Sequence, residues 1–249
     1  MSKQEVIFRD LGIMDYKTAW DYQERLLQEN VRKKSLVYSQ ELVVIENQLP
    51  APDSELQTQH YFLLVEHPPV YTLGKSGNIE NVLINEEMRY MKGIEFFRTN
   101  RGGDITFHGP QQIVGYPILD LEKFYTDIGK YLRNLEEMII LTLAEYGIEA
   151  GRSKGETGVW IDADKPGKER KICAIGVRSS RWITMHGFAL NVNTDLGYFN
   201  FIIPCGIQNK QVTSIEKELG RKVDFEEAKE KVKRNFEKVF NTELRDEKN

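Results

Sequence analysis

Residues Arg101–Asp120 read RGGDITFHGPQQIVGYPILD, and the interpretation of the whole chain starts from this stretch. Gly102 and Gly103 can adopt positive φ or let the backbone approach a ligand closely. Alternation over 104–107 and an apolar run over 113–119 predict two strands with a Gly-Pro turn between them. We predict a hairpin that carries the Arg-Gly-Gly corner and a histidine on one rim. An ordinary hairpin with an ordinary glycine turn explains the same residues equally well.

The segments around this stretch predict an α+β fold, a mixed or antiparallel sheet flanked by helices. Further strands are expected at 5–9, 61–65, 70–74, 94–97, 158–161, 172–177 and 183–193, and helices at 15–33, 85–91, 127–146 and 224–240, with a short one capped by Thr213. The capping residues are expected to be Asp15, Asn85, Asp127 and Asp224. We predict a single domain over 1–249, with a polar loop insertion at 40–60 and frayed last residues.

Composition excludes several classes of protein. The chain has 249 residues with 34 basic and 38 acidic side chains, a net charge of −4, which argues against nucleic acid as the main partner. Two cysteines exclude a disulfide scaffold. The N-terminal residues lack an apolar segment of the signal-peptide type, and no apolar run approaches the roughly 18 residues of a membrane span. A cytoplasmic protein without membrane contact is expected.

The common cofactor and metal motifs are absent, and a thiol remains as the candidate nucleophile. The sequence has no phosphate-binding loop, no dinucleotide fingerprint, no H-E-x-x-H and no C-x-x-C, so neither a metal nor a cofactor is predicted. Cys205 stands in a turn between proline and glycine, whereas Cys173 lies in a periodic apolar segment and is expected to be buried. A turn thiol needs a nearby cation to ionise at neutral pH. Lys171 is the candidate cation, and a solvated surface lysine is the alternative.

Four segments together resemble the lipoyl(octanoyl) transferase family. They are EHPPVYTLG at 66–74, RGGDITFHGPQQ at 101–112, KICAIGV at 171–177 with HGFALNVN at 186–193, and PCGI at 204–207. Their order and spacing are those of the family. The resemblance departs at Gln111, where the family usually has glycine. It implies the α+β catalytic domain of the biotin and lipoate protein ligases.

The resemblance also implies a mechanism and a set of site residues. Cys205 would take an octanoyl group from octanoyl-acyl-carrier protein as a thioester, with Lys171 favouring the thiolate and shuttling protons. The acceptor would be a lysine of a lipoyl domain in a 2-oxo-acid dehydrogenase or of the glycine-cleavage H protein. ATP is not required, and a monomer is expected. The acyl group would lie against Arg101, Gly102, Gly103, Asp104, Ile105, Thr106, Phe107 and His108, against Ala174, Ile175 and Gly176, and against Gly187, Phe188 and Ala189.

Three other functions compete with this one. An ATP-dependent lipoate or biotin ligase shares the fold but has no requirement for a thiol at position 205. A transferase that moves octanoate between lipoyl-dependent proteins would place its nucleophile elsewhere. A non-catalytic lipoyl-domain or acyl-carrier binding module would form no adduct on Cys205. His186 stays open between a hydrogen-bonded sheet histidine and a site residue.

Overall fold

The structure is a computed structural model that describes residues 3–44, 57–203 and 211–246, with side chains as far as residue 37 in the first range. The strands in these ranges are β1 (Gln4–Ile13), β2 (Tyr61–Glu66), β3 (Val70–Leu73), β4 (Glu95–Arg98), β5 (Ile105–His108), β6 (Gln112–Ile118), β7 (Val159–Ile161), β8 (Arg170–Ser180), β9 (Ile183–Asn191), β10 (Gln211–Val212) and β11 (Thr242–Asp246). The helices are α1 (Tyr16–Val44), α2 (Glu86–Met91), α3 (Ile128–Ala144), α4 (Ile215–Leu219) and α5 (Phe225–Phe240). Among these helices, none combines the length and the apolarity needed to cross a bilayer.

The strands form two mixed sheets. The large sheet has the order β10-β8-β9-β6-β2-β1-β11, and β7 pairs with β8 outside that path. In it β1 runs parallel to β2 and β11, and β8 runs parallel to β10, while the other pairs are antiparallel. The small sheet has the order β4-β3-β5. This arrangement confirms the predicted α+β class.

Helices cover both faces of the large sheet. Along β2, Phe62 and Leu64 pack in the core formed with α3 and α5, whereas Leu63 and Val65 pack in the core formed with α1. This division follows from the alternation of side chains along a strand. The ring of Phe236 in α5 stacks on Phe62 with centroids 4.1 Å apart. The whole strand is therefore apolar because both of its faces are buried.

The predicted helix starts are confirmed by their capping hydrogen bonds. The side chains of Asp15, Asn85, Asp127 and Asp224 accept from the backbone N–H groups of Thr18, Met88, Lys130 and Glu227 at 2.8–2.9 Å. One predicted cap is wrong by a residue, since Ser214 rather than Thr213 accepts from Lys217 N. Caps of this kind satisfy backbone donors that the first helical turn leaves open.

The predicted hairpin over 104–119 is wrong. Its two strands exist, but β5 pairs with β3 in the small sheet, and β6 pairs with β2 and β9 in the large sheet. Every residue of β6 is buried, so this strand needs a neighbour on each edge and a helix on each face. The turn over 109–111 therefore passes the chain from one sheet to the other.

Two further boundaries differ from the predictions. Helix α1 continues to Val44 instead of ending near 33, because no glycine or proline interrupts it, and residues 40–44 are therefore helical rather than part of a loop. Residues 45–56 of the predicted loop insertion lie outside the described residues. Fraying was expected for the last residues, 245–249, but residues 245 and 246 end a strand, β11, which pairs with the otherwise open edge of β1. Residues 247–249 lie outside the described residues.

Candidate active site

A cavity of about 370 Å³ lies between β5 on one side and β6, β8 and β9 on the other. The predicted site residues that line it are Arg101, Gly103, Asp104, Ile105, Thr106, His108, Lys171, Ala174, Ile175, Gly176, Gly187, Phe188 and Ala189. Gly102 and Phe107 do not line it. The Phe107 ring stacks on Tyr198 with centroids 4.6 Å apart, in the small-sheet core. Strand alternation places this ring on the face opposite to Thr106 and His108.

Several residues of the cavity wall are not among those predicted from the sequence. They are Tyr16, Ser76, Gln112, Val114, Tyr116, Glu156, Thr157, Asn191, Phe199 and Val212. Gln112, Val114 and Tyr116 of β6 stand at every second position, and alternate side chains of a strand point to the same face. If Gln112 is placed at the site, Val114 and Tyr116 are therefore expected there as well. Tyr16 and Glu156 come from α1 and from the connection before β7, and no local pattern connects them to the site.

The Arg-Gly-Gly corner is attached to both sheets. Gly102 N–H donates to the Val177 carbonyl at 2.9 Å, so this donor is already engaged within the protein. A Cβ on Gly176 would lie 2.7 Å from the Gly102 carbonyl oxygen, so only glycine permits this approach. The Arg101 guanidinium donates to the Thr72 carbonyl at 2.5 Å and to its hydroxyl at 2.9 Å. The corner is therefore a fixed wall of the cavity.

A line of hydrogen bonds connects the β5 wall to the strand that carries Lys171. His108 Nδ1 lies 3.0 Å from Gln112 Oε1, and Gln112 Nε2 donates to Asn191 Oδ1 at 2.8 Å. Asn191 Nδ2 in turn donates to the Thr213 carbonyl at 3.0 Å, and Thr213 N–H donates to the Lys171 carbonyl at 3.0 Å. These bonds hold the two sides of the cavity in register.

Lys171 lies in the cavity wall and is only 9% exposed. Its Nζ lies 4.5 Å from the centre of the Trp160 ring and 4.0 Å from Glu156 Oε2. A Cβ added to Gly158 would lie 3.5 Å from the Cε of Lys171. Val212 of β10 pairs with Lys171 of β8. The alternative of a solvated surface lysine is therefore wrong, and the ammonium group is held between an aromatic face and a carboxylate.

The structure describes one of the two thiols, that of Cys173. Cys173 is fully buried in β8, as expected, and burial raises the pKa of its thiol. Cys205 lies outside the described residues. The residues on either side that are described are anchored: Ile203 N–H donates to the Asn81 carbonyl at 2.8 Å, and Gln211 pairs with Arg170.

A family model matches this chain over nearly all the elements described above. It is the model of the lipoyl protein ligase A/B catalytic domain, and the match covers residues 15–237. The chain belongs to this family. Both walls of the cavity fall within the match.

Several octanoyltransferases are similar to this chain over nearly all of its length. The octanoyltransferase of Christiangramia forsetii is 57% identical over 243 residues, which are 97% of this chain and 98% of the relative. The octanoyltransferase of Flavobacterium johnsoniae is 57% identical over 242 residues, with 97% and 99% covered. The octanoyltransferase of Cytophaga hutchinsonii is 49% identical over 239 residues, with 96% and 94% covered. The chain is therefore an acyltransferase.

Solved structures of lipoate protein ligases confirm the fold. The bi-partite lipoate protein ligase of Thermoplasma acidophilum superposes with a TM-score of 0.65 at 15% identity, over 99% of this chain and 87% of that one. A lipoate-protein ligase A bound with ATP gives a TM-score of 0.64 at 14% identity, over 99% and 89% of the two chains. At this identity the likeness shows a shared fold.

Buried histidines make one side of this cavity neutral. His67 contacts the Tyr116 hydroxyl with its Nε2 at 2.7 Å, and burial lowers its pKa to about 4. Burial holds the pKa of His108 well below its ordinary value. The ring of Tyr16 stacks on His108 with centroids 5.9 Å apart, and burial raises the pKa of this tyrosine to about 12. Near neutral pH these groups carry no charge, so an apolar chain can lie against His108 and Tyr16, which line the cavity, at little electrostatic cost. His67 is not a lining residue but contacts one, Tyr116.

His186 combines the two roles that its sequence context left open. It is a buried residue of β9 whose Nε2 lies 2.8 Å from Asn100 Oδ1, and it also lines the cavity. Its Nδ1 has no hydrogen-bond partner among the described residues, and its φ of 60° is in the left-handed region. Burial, and then the nearby Arg101, lower its pKa to about 3. Across the described ranges, no three histidine, cysteine or acidic side chains are grouped to hold a metal ion.

The buried histidines are expected to make the protein less stable as the pH falls. The folded-state pKa values of His60 and His67 are about 4 and that of His186 about 3, whereas histidine in an unfolded chain titrates near 6.5. Below about pH 6.5 the unfolded chain therefore binds protons that the folded chain does not, and the free energy of unfolding falls by about 1.4 kcal/mol per pH unit per histidine. We expect the thermal midpoint to fall steadily between about pH 6.5 and 5, where most carboxylates stay ionised.

A single-site variant isolates one of these titrations. His60 does not line the cavity, and its Nδ1 accepts from Asp120 N–H at 3.2 Å. The variant His60→Gln keeps an acceptor but loses the titration, so its stability should depend less steeply on pH than that of the wild type. Equal slopes for the two proteins in calorimetry at several pH values would contradict the assignment.

Gln111 occupies a position that suits glycine. Its φ is 62°, in the left-handed region that glycine adopts without a steric cost. The side chain offsets part of this cost, because Gln111 Oε1 accepts from Asn193 Nδ2 at 2.8 Å. The turn is further held by Gln111 N–H, which donates to Glu66 Oε2 at 2.9 Å.

Replacement of Gln111 by glycine is expected to be nearly neutral. The glycine relieves backbone strain of about 1–2 kcal/mol. The variant loses one hydrogen bond of about 1 kcal/mol. Glycine also makes the unfolded chain more flexible, which lowers the free energy of unfolding. The thermal midpoint should therefore stay within about 3 °C of the wild type. The control Gln111→Ala keeps the strain and loses the bond, so it should unfold earlier. A glycine variant as unstable as the alanine variant would be the opposite result.

Proposed function

We propose that this acyltransferase moves an octanoyl group from octanoyl-acyl-carrier protein to the lysine ε-amine of a lipoyl domain, through a thioester on Cys205 and without ATP. The acceptors would include the lipoyl domains of 2-oxo-acid dehydrogenases and the glycine-cleavage H protein. Lys171 would be the proton-carrying partner of the thiol.

The placement of Lys171 is the observation that carries this proposal. Its ammonium group lines a cavity whose other wall is the Arg-Gly-Gly corner, and the remaining wall residues are largely apolar or neutral. The strand that pairs with Lys171, β10, begins at Gln211, six positions after Cys205 in the chain. An apolar acyl chain beside a cation and a nucleophile is what a thioester exchange requires.

In the first half-reaction the Cys205 thiolate attacks the carbonyl carbon of the carrier thioester. A new C–S bond to Cys205 forms and the C–S bond to the carrier breaks. The departing carrier thiolate takes a proton from the Lys171 ammonium, so the products are acyl-Cys205, the carrier thiol and neutral Lys171. The positive charge of Lys171 favours the thiolate before this step.

In the second half-reaction the acceptor lysine attacks the acyl-Cys205 thioester. The acceptor ammonium gives one proton to neutral Lys171, which becomes an ammonium again, and the resulting amine forms a C–N bond to the acyl carbon. The intermediate loses a second proton to solvent, the C–S bond breaks, and Cys205 leaves as the thiolate. An amide is more stable than the thioester it replaces, so the transfer proceeds without coupled hydrolysis of ATP.

The nearest competing function is an ATP-dependent ligase of the same fold. The octanoyltransferases described above are 49–57% identical to this chain over almost all of it, whereas the ligase structures are 14–15% identical. The sequence similarity therefore favours the transferase. A ligase would need to hold an acyl-adenylate and would leave Cys205 unmodified.

Intact mass after mixing the protein with octanoyl-acyl-carrier protein in the absence of ATP tests the proposal. We expect an octanoyl adduct that peptide mapping places on Cys205 and that disappears when apo lipoyl domain is added. An adduct on another residue would reject the nucleophile. If the lipoyl domain is modified only with ATP and free octanoate, the protein is a ligase. If nothing is modified under either condition, the binding module is favoured.

A further inference from the structure

A row of small side chains leads from the open side of the cavity to its buried side. Across three neighbouring strands, Ala174 of β8 pairs with Ala189 of β9, and Ala189 pairs with Val114 of β6. All three residues line the cavity. Ala174 is partly exposed, whereas Ala189 and Val114 are only 3% and 1% exposed. The cavity therefore deepens along this row, from β8 towards β6.

The length of this row matches an eight-carbon acyl chain. Neighbouring strands lie about 4.8 Å apart, so the two strand spacings between Ala174 and Val114 give about 10 Å. An extended chain of eight carbons is a zigzag of C–C bonds of about 1.5 Å each, and it measures about 9 Å from end to end. In the proposed reaction the acyl group arrives on a protein, so its thioester stays at the open side and its methyl end points towards β6.

Tyr116 lies across the buried end of the row. It pairs with Leu63 of β2, Val114 pairs with Val65, and His67 follows Val65 by two residues. These strand residues pack on the face of the sheet that α1 covers. The Tyr116 hydroxyl lies 2.7 Å from His67 Nε2. The tyrosine side chain therefore extends along its strand and crosses the pair of Val114 and Val65 on that face.

The position of the Tyr116 ring is fixed by buried partners. His67 Nδ1 lies 2.7 Å from the Met14 carbonyl oxygen, which can only accept, so Nδ1 carries the proton and Nε2 accepts from the Tyr116 hydroxyl. Tyr116 is 3% exposed and His67 is fully buried. The ring of Tyr16 packs edge-on against His67 with centroids 5.4 Å apart. The tyrosine ring is therefore held in one place at the end of the cavity.

We infer that Tyr116 limits the length of the acyl chain that this enzyme transfers, an inference that rests on the proposed function for the nature of the acyl group. A chain of eight carbons fits between the open side of the cavity and the tyrosine ring, and each further methylene group meets that ring. Burial of a methylene group otherwise favours binding about fourfold, so without the ring longer chains would bind progressively more tightly. Tyr116 is thus a specificity-determining residue.

The ratio of kcat/KM for decanoyl transfer to that for octanoyl transfer tests this inference. Both acyl groups are supplied on acyl-carrier protein, with apo lipoyl domain as the acceptor. In the wild type we expect the decanoyl group to be used about tenfold less efficiently, because its two extra methylene groups collide with packed side chains. In Tyr116→Leu the ratio should rise about tenfold or more, because these methylene groups can then be buried. An unchanged ratio would overturn the inference.

The matched control is Phe97→Leu, which removes a neighbouring ring without changing the cavity wall. Phe97 packs against Tyr16 with ring centroids 5.4 Å apart, and it does not line the cavity. The ratio of decanoyl to octanoyl transfer should stay at the wild-type value in this variant. A rise as large as that in Tyr116→Leu would mean that loosening of the aromatic side chains in general admits longer chains, which would overturn the assignment to Tyr116.

A second variant changes the cavity in the opposite direction. Ala174→Val adds two methyl groups at a partly exposed position of the row, where the core of the protein is not disturbed. The row becomes shorter, so the ratio of hexanoyl to octanoyl transfer should rise about fourfold or more. An unchanged ratio would show that the acyl chain does not follow this row, and the inference would fail even if Tyr116→Leu did not fold.

Thermal stabilisation by free fatty acids gives the same comparison without a transfer step. A ligand that binds the folded chain raises its thermal midpoint in proportion to its affinity. Octanoate should stabilise the wild type more than decanoate does, and the order should reverse in Tyr116→Leu. Equal stabilisation of the wild type by both acids would overturn the inference. A wild type that shows the expected order but transfers no octanoyl group would instead overturn the proposed function and leave the role of Tyr116 supported.

Discussion

Replacement of Cys205 by serine is expected to abolish acyl transfer while leaving the fold intact. A serine hydroxyl stays protonated near neutral pH beside a single lysine, whereas a thiol with a pKa of about 8.5 is readily ionised by a nearby cation. Loss of the nucleophile from a covalent mechanism usually costs about three orders of magnitude in turnover or more. The measurement is octanoyl transfer to apo lipoyl domain, together with the mass of the enzyme after incubation with octanoyl-acyl-carrier protein.

The second thiol provides a matched control for this experiment. Cys173 is fully buried in β8, and burial raises the pKa of its thiol, so it cannot supply a thiolate at the cavity. Cys173→Ala should retain turnover and lose roughly 1 kcal/mol of stability, or about 2–4 °C in the thermal midpoint. Near-normal transfer by Cys205→Ser, or an inactive Cys173→Ala enzyme with an intact fold, would show that the wrong thiol was chosen.

Replacement of Lys171 by methionine is expected to remove the activation of Cys205. Methionine keeps an unbranched side chain beside Gly158, where the Cδ and Cε atoms of the lysine now lie, and under the Trp160 ring that the lysine Nζ faces, so packing is largely preserved. The positive charge that favours the thiolate is lost, and the pH at which half of the thiol is ionised should rise toward about 8.5. Transfer should fall by about two to four orders of magnitude, because Lys171 also carries the proton in both half-reactions.

The rate of alkylation by iodoacetamide as a function of pH measures this effect most directly. It is best carried out in a Cys173→Ala background, where Cys205 is the single thiol of the chain. The control is Lys168→Met, which removes a lysine charge from the exposed turn before β8. An alkylation curve that is the same in Lys171→Met as in the wild type would count against the pairing of this lysine with the thiol.

The sequence by itself determined the features that depend on neighbouring residues. Capping side chains at Asp15, Asp127 and Asp224 located three helix starts, because a cap and its backbone donor are only three residues apart. Apolar periodicity located the long helices and most strands. The family signatures predicted that the glycine corner and Lys171 belong to one site, and residues of both line the same cavity.

The tertiary structure decided the features that depend on distant partners. The strands on either side of Gln111 go to different sheets, because the fully buried β6 requires neighbours on both edges, and local alternation carries no information about which strand those neighbours are. Likewise, residues 242–246 are ordered as a strand because β1 has an open edge. Tyr16 and Glu156 reach the cavity from segments far apart in the chain, and the depressed pKa values of the histidines arise from burial. These properties are set by packing over long sequence distances, which a pattern of a few consecutive residues does not encode.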